Sequence, residues 1–366
     1  MFERATRRMQ ENQPMCTIVL VFLATMVETV ALKSLDRKVV AALLAHPRCR
    51  MSALATAVGT SAPTVSRRLA VLFEQQLIRV VSVLDQQRSG YGFAVFLRLR
   101  CVPGASGDVA RAVAQWPESG YVSVVGGDLD CTAQLHVGST KHLMSLLNDR
   151  LTTVRGVISS STSKIIRRYS TPHGWYGGLV PDGALASLRS ERLDHWTEDG
   201  QVQQRGLDEL DQALVDLLAH DGRRTWRDLG ARLGIQPATA RRRVETLMTS
   251  GLLRLRTVVQ PAVIGQPVVA SLWLRVTPAR LEAVGRTLAA HPNVLNIAAT
   301  TGLTNLSGEI AVPDDDALYS FLTDEVGRLP GVAAVDVSDG LQVIKRASLI
   351  FDTEHPERIG DEVRAG

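Results

Sequence analysis

Two short stretches carry the side chains that could do chemistry. GTSAPTVSRRLAVLFEQQLIR, residues 59–79, places Ser66, Arg67 and Arg68 inside a run of helical periodicity, and GIQPATARRRVETLMTSGLLR, residues 234–254, places Arg241, Arg242 and Arg243 at the matching positions. Guanidiniums neutralise phosphates and donate to guanine, and Ser or Thr hydroxyls bond phosphate or a base edge. Grouped near the start of a helix, these types fit double-stranded DNA, with Thr64, Ser66, Arg67, Arg68, Thr239, Arg241, Arg242 and Arg243 as the candidate contacts. No Gly-rich nucleotide loop, Ser-His-Asp grouping or metal-ligand cluster stands out, so no enzyme activity, catalytic residue, metal or cofactor is expected.

Charge separates a binding face from a merely solvated one. The segment 35–81 holds seven Lys or Arg against two Asp or Glu, and the segment 210–256 nine against five, while the whole chain of 366 residues carries only +4. Everything outside the two segments is therefore net negative. The cysteines Cys16, Cys49, Cys101 and Cys131 stand far apart with no CxxC spacing, which argues against a zinc site or disulfide framework and fits a reducing cytosol.

These side chains need elements to position them. LDRKVVAALLAH repeats apolar residues at Leu35, Val39, Ala42 and Leu43, the stripe of a surface helix. MSALATAV is a second helix stopped at Gly59; Ser61 then caps a third, with Pro63 in its first turn. In that third helix Val65, Leu69 and Leu72 form the buried face, which leaves Ser66, Arg67 and Arg68 off the packed stripe. In the second stretch Ala240, Val244 and Leu247 play the same part. RVVSVLD alternates as a strand, and each set of three helices is expected to end in a two-stranded wing.

The chain repeats itself. A constant offset of 175 carries Leu35-Asp36 onto Leu210-Asp211, Gly59 onto Gly234, Arg67 onto Arg242, Arg79 onto Arg254, Gly127 onto Gly302 and Ser163 onto Ser338. The protein is a tandem duplication of one two-part unit. The second part of each unit follows another rhythm: FAVFLRLRC, GDVARAVAQW, YVSVV, DCTAQLHV, KHLMSLLNDRL and VISSSTSKIIRRY read as strand, helix, strand, strand, helix, strand, the ferredoxin-like order. Two helices cover one face of such a sheet and leave the other to a partner sheet.

The expected fold is α+β: winged helix-turn-helix domains at 33–85 and 207–260 alternate with ferredoxin-like (βαββαβ) ligand-sensing and oligomerisation domains at 90–169 and 265–350. An N-terminal extension (1–32), a linker (170–206) with Trp175 and Tyr176 docked on the first unit, and a C-terminal tail (351–366) complete the chain. Within the extension, the apolar run MCTIVLVFLATMV at 15–27 is too short to span a bilayer comfortably, so no membrane association is expected.

A helix-turn-helix that begins with Leu-Asp, carries TVSRRL in its third helix and precedes a ferredoxin-like domain resembles the Lrp/AsnC (feast/famine) family of transcriptional regulators, over about 33–168 and again 207–350. The resemblance implies a cytoplasmic, sequence-specific regulator whose second domains self-associate and bind an amino-acid effector. It further implies an effector turn at GGDLD: Gly126, Gly127, Asp128 and Asp130, glycines letting amides approach a carboxylate and an Asp holding an amino group. The second copy reads TGLTN there, with Leu303 and Asn305 in place of the acids. Two units on one tether imply a pseudo-dimer within one chain and, since the two reading helices differ, an operator with unequal halves. The alternative resemblance is to sirohaem decarboxylases of haem biosynthesis, which are paired related subunits; His136 and His142 would be its candidates, neither has a counterpart in the second copy, and the retained arginines favour DNA.

Overall fold

The computed structural model of the chain describes residues 32–75, 77–85, 92–172, 175, 179, 185–191, 206–347 and 349–351. The apolar run at 15–27, Cys16, Tyr176, most of the linker and the C-terminal tail lie outside the described residues. Among the described residues no helix is long and apolar enough to cross a membrane.

Each unit opens with three helices: α1 (Ser34–Ala45), α2 (Met51–Val58) and α3 (Ala62–Glu74) in the first, α7 (Glu209–His220), α8 (Trp226–Leu233) and α9 (Pro237–Thr249) in the second. Val39, Leu43, Leu54, Val65, Leu69 and Leu72 are buried together in one, and Leu214, Leu218, Leu229, Ala240, Val244 and Leu247 in the other. Gly59 and Gly234 end the second helix of each set at φ of 73° and 65°, the left-handed region that spares glycine the steric cost a Cβ would meet. Ser61 caps α3 by accepting from the Thr64 amide, while Gln236 at the start of α9 makes no such bond.

The wings depart from expectation. Among the described residues each unit supplies one strand, not two: β1 (Ile78–Leu84) pairs antiparallel with β6 (Leu253–Val259) of the other unit, from Ile78 against Val259 to Leu84 against Leu253. A lone strand leaves a row of backbone donors and acceptors unpaired, and the duplicate offers the complementary row.

The ferredoxin-like halves are β2 (Phe93–Cys101), α4 (Ser106–Ala114), β3 (Ser119–Gly126), β4 (Cys131–Val137), α5 (Thr140–Ser145) and β5 (Val157–Ser170), followed after the linker helix α6 (Ala186–Ser190) and the second three-helix set by β7 (Val268–Val276), α10 (Leu281–Ala289), β8 (Val294–Thr300), β9 (Leu306–Val312), α11 (Asp315–Ser320) and β10 (Val332–Arg346). A short β11 (Leu349–Ile350) adds to β10. Their sheets join edge to edge in the order β10-β3-β4-β2-β5-β8-β9-β7, and β7 pairs back to β10, closing a ring of eight strands. The long last strands make the joints. β5 leaves β2 to pair with β8, and β10 leaves β7 to pair with β3.

That exchange extends into the cores. Tyr169 at the end of β5 is buried in the second unit's core, against α10 where a side chain at Gly285 would lie within 2.3 Å of its ring, and Ile344 of β10 is buried in the first unit's core. The sheet faces turned away from the helices meet across the ring, where Phe96 and Trp273 pack edge to face at 5.6 Å. The partner sheet that each half requires is thus its own duplicate. Trp175 also joins both units: it is buried with the α1–α3 cluster and donates Nε1 to the Pro292 carbonyl at 2.8 Å, so the linker docks on both copies rather than on the first alone.

Candidate nucleic-acid interface

The predicted contact residues separate into two kinds. Arg68 donates Nε to Asp36 Oδ1 at 2.7 Å and Nη2 to Asp36 Oδ2, and Asp36 is buried. The second copy repeats this: Arg243 Nη1 donates to Asp211 Oδ1 at 2.9 Å and Asp208 Oδ2 at 2.6 Å. Each pair ties the third helix of its set to the first, and the carboxylates hold both guanidiniums above the ordinary arginine range. A buried carboxylate is costly unless paired, which explains the Leu-Asp that opens both units. The expectation that Arg68 and Arg243 face DNA therefore meets an internal partner that already occupies them.

Arg67 and Arg242, one residue earlier, are exposed, and their guanidiniums have no hydrogen-bond or ion-pair partner among the described residues. Ser66 beside Arg67 is exposed as well. Arg241 is exposed and pairs with Glu245 at 2.7 Å, one turn on along α9, a surface pair that exchanges readily. Thr64 is turned inward to its own cap, its hydroxyl 2.9 Å from that of Ser61. Thr239 is half-buried at the start of α9, its amide donating to the Gln236 carbonyl at 2.9 Å.

Two arginines that the sequence did not single out fix how the helix sets face one another. Arg48 donates to the carbonyls of Gly222 at 2.5 Å and Arg224 at 2.6 Å, and Arg223 returns the bonds to Pro47 at 2.7 Å and Cys49 at 3.2 Å. They are equivalent under the 175-residue offset, so this is a reciprocal clasp on the pseudo-dyad. The Arg48 guanidinium also lies 3.7 Å over the Trp226 ring, and burial together with Arg223 lowers its pKa to about 10. The signal available in the sequence was an arginine kept at both copies in the turn before the second helix.

At the expected effector turn, Asp130 is engaged: its Oδ2 accepts from the Cys101 amide at 2.7 Å, and Arg100 Nε donates to the Asp128 carbonyl at 2.8 Å. Asn305 does the same task in the second copy, accepting from the Val276 amide at 2.8 Å and donating to its carbonyl at 2.7 Å. The Asp-to-Asn difference thus preserves a latch between strands. Gly126 ends β3; Gly127, at φ of 111°, backs onto β10 near Val337 and Ser338, and Asp128 is exposed. Of the alternative's histidines, His142 reaches Glu118 at 3.0 Å near the surface, whereas His136 lies deep, 2.9 Å from Gln134. Cys49, Cys101 and Cys131 are buried free thiols.

Comparison with known proteins converges on the same parts. The AsnC-type helix-turn-helix domain matches residues 32–72 and 207–248, and the Lrp/AsnC ligand binding domain matches 94–174 and 269–350. An uncharacterized HTH-type transcriptional regulator of Pyrococcus horikoshii is 28% identical over 133 residues, 36% of this chain and 84% of that protein. The HTH-type transcriptional regulator FL11 of the same organism is 28% identical over 34% of this chain and 83% of its own length. Among solved structures, the siroheme decarboxylase NirDL superposes with a TM-score of 0.57 over 91% of this chain and 99% of that one, at 15% identity, a likeness of fold.

Proposed function

Because the chain belongs to the Lrp/AsnC family and is a DNA-binding transcriptional regulator with two units in one polypeptide, we propose that Arg67 and Arg242 are its principal DNA contacts. One observation carries this: at equivalent positions of the two third helices, these guanidiniums are exposed and unpaired among the described residues, while their neighbours Arg68 and Arg243 are held by carboxylates. Ser66 and Arg241 flank them as secondary contacts. Arg68, Arg243, Thr64 and Thr239 position the helices rather than touch DNA. The Arg48–Arg223 clasp fixes the separation of the two helices and hence of the half-sites.

The two helices present Ser66-Arg67 and Arg241-Arg242, so the operator has unequal halves. Selection from a random duplex pool should return an asymmetric motif, and a perfect palindrome would overturn that point. Replacing Arg67 and Arg242 together with Ala should weaken binding and flatten the dependence of log affinity on log salt by about two, one for each phosphate that an arginine no longer neutralises. An unchanged slope would remove these residues from the interface.

An effector completes the reading. An amino acid at the turn Gly126–Asp130 would meet Asp128 as its acidic partner, since Asp130 is committed to the Cys101 amide. Self-association is met first within the chain. With DNA as partner, the chain acts in this reading as a cytoplasmic regulator rather than an enzyme, in line with the regulator names of its relatives.

A further inference from the structure

Among the described residues, unmatched charge away from the reading helices gathers where the β1–β6 ribbon covers one end of the barrel. One ribbon face packs on the helix sets through Ile78, Val259, Leu253 and Leu255; the other, with Val81 and Val258, turns to Leu349 and Phe351 at the barrel end. Arg254 and Arg256 belong to this second face, opposite Val83 and Val81 in the register. The barrel end contributes Arg168, Arg346, His136, Tyr121 and Glu309.

Partners are unevenly shared among these groups. Glu309 accepts from Tyr121 Oη at 2.6 Å and Arg346 Nη2 at 3.3 Å, and Asp85 pairs with Arg254 at 3.3 Å. Arg168 and Arg256 have no hydrogen-bonded partner among the described residues, and the Arg256 Nε is shut off from solvent without one. Their electrostatic neighbours are mixed: Asp85 and His136 for Arg168, Arg346 and Glu309 for Arg256. Arg79, opposite Val258 in the register, shares this ribbon face, so among the described residues five guanidiniums face two carboxylates, and burial draws Arg256 to about 9 and Arg168 to about 10. Arginine keeps its proton, so excess buried charge calls for an anion. Arg168, Arg256, His136 and Tyr121 are half-buried rather than sealed from solvent.

The duplication sharpens the point. Under the 175-residue offset His136 answers to Ala311, Tyr121 to Asn296, Arg168 to Val343 and Arg256 to Val81. Elsewhere the two copies repeat polar pairs such as Asp36–Arg68 and Asp211–Arg243; here, apart from Arg79 and Arg254, the copies differ.

We propose that this junction binds one small oxyanion, a phosphate or a dicarboxylate, through Arg168 and Arg256, in a site distinct from both the reading helices and the Gly126–Asp130 turn. It sits between the ribbon that carries the helix sets and the barrel that joins the units, so its occupancy pins one to the other. The test is calorimetric titration of the full chain with inorganic phosphate and, separately, with succinate, at matched ionic strength in chloride. The probes are repeated on Arg256→Met, Arg168→Met and the Arg67→Ala/Arg242→Ala pair, with Arg256→Lys as the charge-retaining control should Arg256→Met fail to fold. The expected result is one anion per chain, preserved when Arg67 and Arg242 are removed and weakened about tenfold or more by either Met variant, with partial recovery in Arg256→Lys. Response to phosphate alone or to succinate alone identifies the anion. Absence of binding by both probes, equal binding in the folded Met variants, or loss with Arg67 and Arg242 overturns the site.

Discussion

Adjacent arginines in one helix do unlike work here. Arg68 is bound to a buried Asp36, and Arg67 points to solvent, although the sequence presents both as basic residues off the packed stripe. Arg68→Ala should therefore lower the melting temperature by stranding Asp36, with little change in DNA affinity measured well below the melt, whereas Arg67→Ala should do the reverse. Thermal denaturation and a binding titration on both variants check the split. His136 gives a pH signature. Burial, then the Arg168 charge, depresses its pKa to about 3, so the folded state refuses a proton that the unfolded chain accepts near 6.5. This contribution is intact above about pH 6.5 and declines as the pH falls toward 3, by up to about 1.4 kcal/mol per pH unit. Denaturation in phosphate-free buffer between pH 7 and pH 5 should show this slope, and His136→Gln should flatten it.

At the scale of elements, the clasp between the α1–α2 and α7–α8 turns is the device that sets geometry. Each guanidinium closes on two carbonyls of the other copy, so neither turn can slide without breaking two bonds. Removing both with Arg48→Ala and Arg223→Ala should leave affinity for one isolated half-site nearly unchanged while broadening the tolerated spacing between two. A series of duplexes with inserted base pairs reads this directly; equally narrow tolerance in the variant would assign the spacing to the β1–β6 ribbon instead.

The whole molecule is one closed ring shared by two copies. Tyr169 and Ile344 each complete the other copy's core, and β1 has no strand partner except β6 among the described residues, so a single unit would expose sheet edges and an open core. Expressed as two polypeptides divided within 192–205, the halves should co-purify in equal amounts, and either half alone should aggregate or pair with itself. Recovery of a stable monomeric half would contradict the exchange.

Much of this was legible in the chain itself. The helix order, Ser61 cap, glycine stops, ferredoxin-like rhythm and duplication follow from local patterns, because periodicity, capping and left-handed turns depend on near neighbours. The sequence alone also determined which helices carry the basic residues. It could not tell Arg67 from Arg68, since the choice depends on Asp36, 32 positions away in the chain but one helix away in space. Nor could it show that part of the positive charge it concentrated near the helices, at Arg48, Arg223, Arg254 and Arg256, is spent inside the molecule. Only the tertiary structure decided that the two wings are one ribbon and the two sheets one ring, because strand pairing between the copies is set by which edges meet and not by the pattern along either strand.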